Sequence, residues 1–316
     1  MSSVYKIRKF RVPGYIKSAI EFLAPPENLT VSEWAARYRI LNAKSSAMPG
    51  PWRNEVTPYL VDIMNEFNNY QTEKIVFCKA TQVAGTEGMQ NMLGFTAMQD
   101  PGPAMVVYPT DQLIERTVQT RLRPMIEDSP GLSKIYDKRR SGNDGIQFVN
   151  SFIALAGSNS PSGLASTPIR YLFLDEVDKY PSASKKEADP ISLAIERTKT
   201  FWNRKIYMTS TPTLRTGQIW KAKEACDVER HFFVPCPQCG EMIELKFTQI
   251  KWPDKEEGLS DQDRAEQAYY VCQKCGCILD DNDKSEMIAK GEWRDVRKDT
   301  ELIKSVAFWI SSLYSP

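Results

Sequence analysis

The stretch Tyr171-Leu-Phe-Leu-Asp-Glu-Val-Asp178 constrains the fold of this chain more than any other. Its four leading apolar residues show no polar alternation, so they read as a strand buried on both faces. Such strands belong to parallel sheets covered by helices on either side. Two carboxylates, Asp175 and Glu176, follow without a spacer. The strand therefore ends in a place that calls for negative charge. A core strand running into a solvated acidic turn has the same local sequence, and only a phosphate-binding loop upstream separates the two readings.

An altered loop of that kind is present. Lys74-Ile-Val-Phe-Cys78 reads as a strand. Lys79, Ala80, Thr81, Gln82, Val83, Ala84, Gly85 and Thr86 follow it, and a helical stretch opens at Glu87. The common phosphate loop runs Gly, four residues, then Gly-Lys-Ser/Thr. Its amides cradle phosphate, its lysine reaches the β/γ-phosphates and its hydroxyl binds magnesium. Aligned on Thr86, this chain carries Ala84 for the second glycine, Gly85 for the lysine and Lys79 for the first glycine. The ammonium has moved to the opposite lip of a loop that curls round its ligand. With the loop in place, the acids take the roles they have in P-loop ATPases. Asp175 holds magnesium through its water shell, with Thr86 on the same ion, and Glu176 polarises the water that attacks the γ-phosphate. Residues 79–87 with Asp175 are the expected ATP and Mg2+ site.

Elsewhere the pattern alternates. Ala104-Met-Val-Val-Tyr108 is a buried strand, 111–126 a helix, 147–149 with 151–156 a hairpin, and 205–208 a further strand. Strand–helix alternation from 72 to 230 argues a parallel sheet with helices on both faces. A capping box, Thr30 with Glu33, opens a helix bearing Val31, Trp34, Ala35 and Tyr38, after the breaker Pro25-Pro26. A second helix starts near Thr57, a short one covers 284–290, and 305–310 returns as a strand to the main sheet. The expected fold is α/β: a P-loop (ASCE, RecA-like) mainly parallel sheet flanked by helices, with an inserted zinc ribbon. Its parts are an N-terminal lead (1–65), the ATPase core (66–230), the ribbon insertion (231–300) and the returning strand (301–316).

The ribbon rests on two cysteine pairs, Cys236-Pro-Gln-Cys239-Gly240 and Cys272-Gln-Lys-Cys275-Gly276. Each pair offers two thiolates to one tetrahedral Zn2+, and the glycine lets backbone turn under the metal. Four thiolates leave no open position for water, so the zinc is structural. Cys277 breaks the symmetry of the pairs and is left out; Cys78 and Cys226 read as core thiols. His231, the single histidine, reads as a packing or hydrogen-bonding residue, and no Gly-x-Ser-x-Gly elbow accompanies it. A net charge of +1 supplies no global basic field, so any DNA contact must come from local patches. No apolar run approaches about 18 residues, and 1–11 lacks the apolar core of a signal peptide.

Together these residues resemble the large terminase subunit of tailed phages, in its lambda-like branch, where a loop with its lysine at the front is a family trait. The likeness spans nearly the whole chain. It includes Val31-Ser-Glu-Trp-Ala-Ala-Arg37, Pro49-Gly-Pro-Trp-Arg53, Pro58-Tyr59, Asp100-Pro-Gly102, Tyr108-Pro-Thr110 and Asp175-Glu-Val-Asp-Lys-Tyr-Pro181. It continues through Glu196-Arg-Thr198, Ser210-Thr-Pro-Thr213, the cysteine pairs and Ser312-Leu-Tyr-Ser-Pro316. The resemblance implies an ATP-hydrolysing motor that drives double-stranded DNA into a procapsid in the host cell cytoplasm. The implied partners are the small terminase subunit, the portal and further copies of the chain in a pentameric ring. It implies that Thr209, Ser210 and Thr211 link the γ-phosphate to the DNA-gripping part. Arg197 is the first candidate for an arginine finger, with Arg121, Arg123 and Arg170 competing. Full-length members carry a nuclease domain after the motor; this chain stops at Pro316, so no cleavage is expected of it. Two other classes fit less well. A superfamily 2 helicase needs a second helicase domain, and a zinc-ribbon nucleic-acid-binding protein with a degenerate nucleotide fold would not hydrolyse ATP.

Overall fold

The computed structural model describes residues 27–44, 46–164, 167–181, 189–253 and 260–315. The 1–11 stretch and Pro25-Pro26 lie outside the described residues. A ten-stranded sheet organises the chain. We label its strands β1 (Lys74–Lys79), β2 (Ala104–Tyr108), β3 (Gly145–Gln147), β4 (Phe152–Gly157) and β5 (Tyr171–Asp175). The rest are β6 (Lys205–Ser210), β7 (Val228–Pro235), β8 (Met242–Ile243), β9 (Glu292–Lys298) and β10 (Ser305–Ile310). Their order is β8-β7-β10-β1-β6-β5-β2-β4-β3, with β9 also pairing with β7, off this path. Every pairing from β7 through β10, β1, β6, β5 and β2 to β4 is parallel. Antiparallel strands close both ends. The hairpin read around Asn150-Ser151 is the β3–β4 pair, and β10 lies in the centre of the sheet, against β1.

The central strands are apolar on both sides because two separate cores meet them. Ile75, Phe77, Val106, Tyr108, Tyr171, Phe173, Tyr207, Val306 and Phe308 pack into one core. Val76, Cys78, Met105, Val107, Leu172, Leu174, Ile206, Met208 and Ala307 pack into the other. Successive residues of each strand thus enter opposite layers, as a fully covered sheet requires. The first layer is closed by helices α1 (Val31–Tyr38), α2 (Tyr59–Glu66) and α3 (Gly85–Met98), which supply Trp34, Leu60, Met89, Met92 and Leu93. The Thr30–Glu33 capping box opens α1 as the sequence indicates.

The helix expected over 111–126 is not one α-helix. It consists of α4 (Asp111–Thr117), a π-wound turn at Val118–Leu122 and α5 (Arg123–Asp128). Two more helices, α6 (Pro190–Glu196) and α7 (Gln218–Glu224), cover the second layer through Ile191, Ala194 and Ile219. Between β8 and β9 lies a small three-stranded antiparallel sheet of Ile250–Lys251, Tyr269–Val271 and Ile278–Leu279, followed by α8 (Asp281–Ala289). Strand β9, which falls inside the stretch 231–300, pairs with β7 of the main sheet.

Candidate functional site

The carboxyl ends of β1 and β5 bring the loop and the acids together. Lys79 ends β1 with its side chain 7% exposed, and its Nζ lies 3.2 Å from Glu176 Oε1. Lys179 Nζ approaches Glu176 Oε2 at the same distance, 3.2 Å. The moved lysine therefore does face the second acid. The reason is visible at Gly85, where a Cβ would sit 2.4 Å from Lys79 Cδ and 2.5 Å from Cε. The lysine stem fills the space that a side chain at position 85 would need. Exchanging the two residues relative to the common loop is one change in packing, not two independent losses.

Strain is concentrated here. Among the described residues, the non-glycine residues with positive φ are Gln82 (+64°), Ala84 (+51°) and Glu176 (+55°). Each left-handed conformation disfavours a residue with a Cβ, and such residues persist where surrounding structure over-determines them. Ala84 holds the conformation for which glycine is usual in this loop and caps α3. The loop is tied down by Ala80 N–H donating to Ile310 O (3.1 Å) and Ser315 Oγ donating to Gln82 O (3.2 Å). The carboxylate of Glu87, in the first turn of α3, is held by Arg39 Nη2 at 2.7 Å and faces Arg121 at 3.9 Å. Arg39 is buried and also donates to Gln90 and Asn91, so the N-terminal lead braces the loop helix.

A cavity of about 530 Å³ opens beside the loop, lined by Thr86, Tyr108, Arg116, Arg121, Asp175 and Glu176 among others. Asp175 is 5% exposed, and its Oδ1 is buried without a hydrogen-bond partner. Burial, then the neighbouring charge of Glu176, push its carboxyl up to about 6 against the opposing pull of Lys79 and Arg121. An unpartnered, desolvated carboxylate beside the Thr86 hydroxyl suits a hard cation carrying a phosphate ligand. Arg116 and Arg121 reach the same cavity together with Leu113, Thr117 and Thr120, from α4 and the π-wound turn that follows it. No sequence signal marks a π turn.

The hydroxyl run lies on the adjacent strand. Asp175 pairs in register with Thr209, whose Oγ1 donates to Phe77 O at 3.1 Å. Ser210 Oγ accepts from the Asp178 amide at 3.2 Å and donates to Thr211 O at 3.2 Å. The Asp178 carboxylate then accepts from Thr213 N–H (3.0 Å), Thr213 Oγ1 (3.1 Å) and Ile219 N–H (2.8 Å). The turn after Glu176 is thus fastened to the Ser210-Thr-Pro-Thr213 segment and to the start of α7. Asp178 went unnoticed in the sequence because its role depends on these distant partners. Arg197 does not line the cavity; it caps α6, and its Nε is buried without a partner. Arg170 is engaged by Asp100 through two bonds of 2.7 and 2.6 Å.

The thiols form a second centre. Ligand atoms of Cys236, Cys239, Cys272 and Cys275 all lie within 4.8 Å of one another. The two knuckles are built alike: Gly240 N–H donates to Cys236 O (2.8 Å) and Gly276 N–H to Cys272 O (3.0 Å). Both glycines sit at positive φ, +73° and +74°. Cys277 Sγ also comes to 3.5 Å from Cys236 Sγ, nearer than the symmetry of the pairs suggests. His231 is not a ligand here. It bridges Glu229 (2.9 Å) and Glu244 (2.7 Å), and Glu229 also takes Lys223 at 2.6 Å.

Three comparisons bear on this arrangement. The family described as phage terminase large subunit gpA, ATPase domain, matches residues 46–293. The chain is similar to the terminase large subunit of Enterobacteria phage P21, with 24% identity over 294 residues, 89% of this chain and 44% of that protein. It is also similar to the terminase large subunit of Escherichia phage lambda, with 26% identity over 330 residues, 97% of this chain and 50% of that protein. The chain thus spans half or less of the curated relatives it matches. The crystal structure of the HK97 bacteriophage large terminase shares the fold, with a TM-score of 0.50 and 13% identity over 61% of this chain and 40% of that one.

Proposed function

The chain belongs to the family of the phage terminase large subunit gpA ATPase domain, and we propose that it is the ATP-hydrolysing motor of a machine that drives double-stranded viral DNA into a procapsid. One observation carries the reading. Asp175, with its unpartnered Oδ1, and the strained Glu176 line one cavity with Thr86, and the buried Lys79 reaches that cavity's edge through its 3.2 Å contact with Glu176. In this reading the loop 79–87 cradles the triphosphate, and Lys79 supplies the positive charge. Thr86 and Asp175 would hold Mg2+, which neutralises phosphate charge when bound. Glu176 orients and polarises the attacking water; its two lysine contacts hold the carboxylate in place until nucleotide enters. Arg121, and with it Arg116, takes the position of a cation acting within the same chain. Arg197 remains the candidate for reaching a neighbouring copy in a ring. Arg121→Gln would then abolish turnover by the isolated chain, and undiminished hydrolysis would remove it from the site.

The Asp178 connection to Thr213 and α7 supports a coupling role for Thr209, Ser210 and Thr211. The four thiols fit one tetrahedral zinc ion, for soft ligands at this mutual spacing suit it. Such an ion would cross-link the insertion that runs from Cys236 to the start of β9, with no open position for chemistry. The small terminase subunit, the portal and a homo-oligomeric ring in the host cytoplasm complete the reading, as does a nuclease domain in full-length relatives. The deciding experiment measures magnesium-dependent phosphate release by this chain with and without double-stranded DNA and procapsids. Hydrolysis stimulated by those partners is expected. A chain that binds no nucleotide would refute the motor reading in favour of a non-hydrolysing fold.

A further inference from the structure

Tyr108 ends β2, is 1% exposed and lines the cavity, yet its hydroxyl has no hydrogen-bond partner. A buried donor left unpaired is costly, and such a group calls for an explanation. Its place in the sheet, on the wall of the cavity, supplies one. Val107 pairs with Leu174 in parallel register, so one step further on Tyr108 stands beside Asp175. Neighbouring residues in parallel register project to the same face, which here is the face of α3 and the loop. On the other side Tyr108 pairs with Gly157, which has no side chain to offer. A phenol and a carboxylate oxygen, both buried and both unpartnered, therefore share one wall of the cavity.

We propose that the missing partner of the Tyr108 hydroxyl is an oxygen of the magnesium–nucleotide that Asp175 faces, which makes Tyr108 a contact residue of the nucleotide site. This rests on the ATPase reading. Tyr59, Tyr171 and Tyr207 also carry unpartnered hydroxyls, but none of them lines this cavity. They show that an orphaned phenol alone means little, and Tyr59 on α2 provides a control. Replacing either tyrosine by phenylalanine removes a hydroxyl that the free protein does not pair. The nucleotide-free melting temperature should then rise in both variants, by about 1–2 °C. Only Tyr108→Phe should bind nucleotide worse. Losing a hydrogen bond to a charged group corresponds to roughly ten-fold or more in Kd.

The test is titration of wild type, Tyr108→Phe and Tyr59→Phe with a non-hydrolysable ATP analogue and magnesium, with melting curves of each protein free and saturated. The expected result is a higher melting temperature for both free variants, with weaker binding and a smaller ligand-induced shift for Tyr108→Phe alone. Wild-type affinity in Tyr108→Phe, or a lowered melting temperature of that variant without nucleotide, would overturn the proposal. Failure of the wild type to bind would instead overturn the ATPase reading beneath it.

Discussion

The exchange of lysine and glycine across the loop makes a prediction that depends on geometry as much as on charge. Lys79→Ala removes one of the two ammonium groups on Glu176, 3.2 Å away, and leaves Lys179 as the other. If Lys79 serves the phosphates, the loss of a charge-assisted contact corresponds to about 1.5–3 kcal/mol, or roughly 10- to 150-fold in nucleotide affinity. Turnover should suffer at least as much, because charge shifts onto the phosphoryl oxygens in the transition state. The packing adds a second arm. A Cβ at position 85 would lie 2.4 Å from Lys79 Cδ, well inside the roughly 3.5–4 Å of carbon–carbon contact. Gly85→Ala must therefore push the lysine off Glu176, and the buried stem has little room to retreat. Once Lys79 is alanine, the closest remaining neighbour named for that Cβ is Phe77 Cε1 at 3.3 Å. Gly85→Ala should then be damaging alone and nearly neutral in the Lys79→Ala background, a coupling on the order of 1–3 kcal/mol. Gly85→Lys in that background should restore part of the activity, since the space for its stem has been vacated. The assay is a double-mutant cycle read by fluorescent-nucleotide binding and phosphate release. Strict additivity, or wild-type hydrolysis by Lys79→Ala, would show that the lysine is a solvated strand-end charge.

Glu176→Gln should bind nucleotide about as well as wild type and hydrolyse none, because the amide keeps the shape but cannot polarise water; a normal rate in that variant moves the base elsewhere. Cys236→Ser, or chelation, should unfold the insertion that runs from Cys236 to the start of β9 while sparing nucleotide binding, with an apparent contribution from the metal on the order of 10 kcal/mol to that module. Elemental analysis of freshly purified protein that finds no zinc would defeat this. The His231 network carries a pH signature. Burial works against the charged imidazole, but hydrogen bonds to Glu229 and Glu244 raise its pKa, so its stabilisation is complete below the unfolded value and is lost as pH rises through the raised one. Burial would likewise raise Glu229, yet bonds from His231 and Lys223 hold it down to about 2, so its share is lost only as pH falls from about 4.5 towards 2. The melting-temperature advantage of wild type over His231→Gln should accordingly narrow on the alkaline side; a constant gap from pH 6 to 9 would contradict it.

The sheet and its covering layers were legible because continuous apolar runs leave few alternatives. The strand at 305–310 and the Thr30 capping box were readable for the same local reasons. The lysine's position in the loop was legible too, but the cause of it, the mutual exclusion of Lys79 and a side chain at 85, needed coordinates. What stayed hidden shares one property: it depends on residues far apart in sequence. Arg39 reaches Glu87 from the N-terminal lead, and Asp178 receives donors from Thr213 and Ile219. Tyr108 belongs to the same class, since its significance lies in a partner it lacks.

The central placement of β10 also sets the order in which the chain can be assembled. Strand β1, which carries Lys79, is flanked by β6 and by β10, and the latter is made more than two hundred residues after it. At about 5–20 residues per second on the ribosome, that interval is on the order of ten to forty-five seconds. Throughout it, one edge of an apolar strand stays unpaired, a hazard for edge-to-edge association in the crowded surroundings of synthesis. The loop cannot be anchored earlier either, because the Ala80 amide has its partner in Ile310. Nascent chains of this topology therefore lack the Ile310 anchor of the loop until β10 has been made, and holdase chaperones have a defined window and a defined edge to guard.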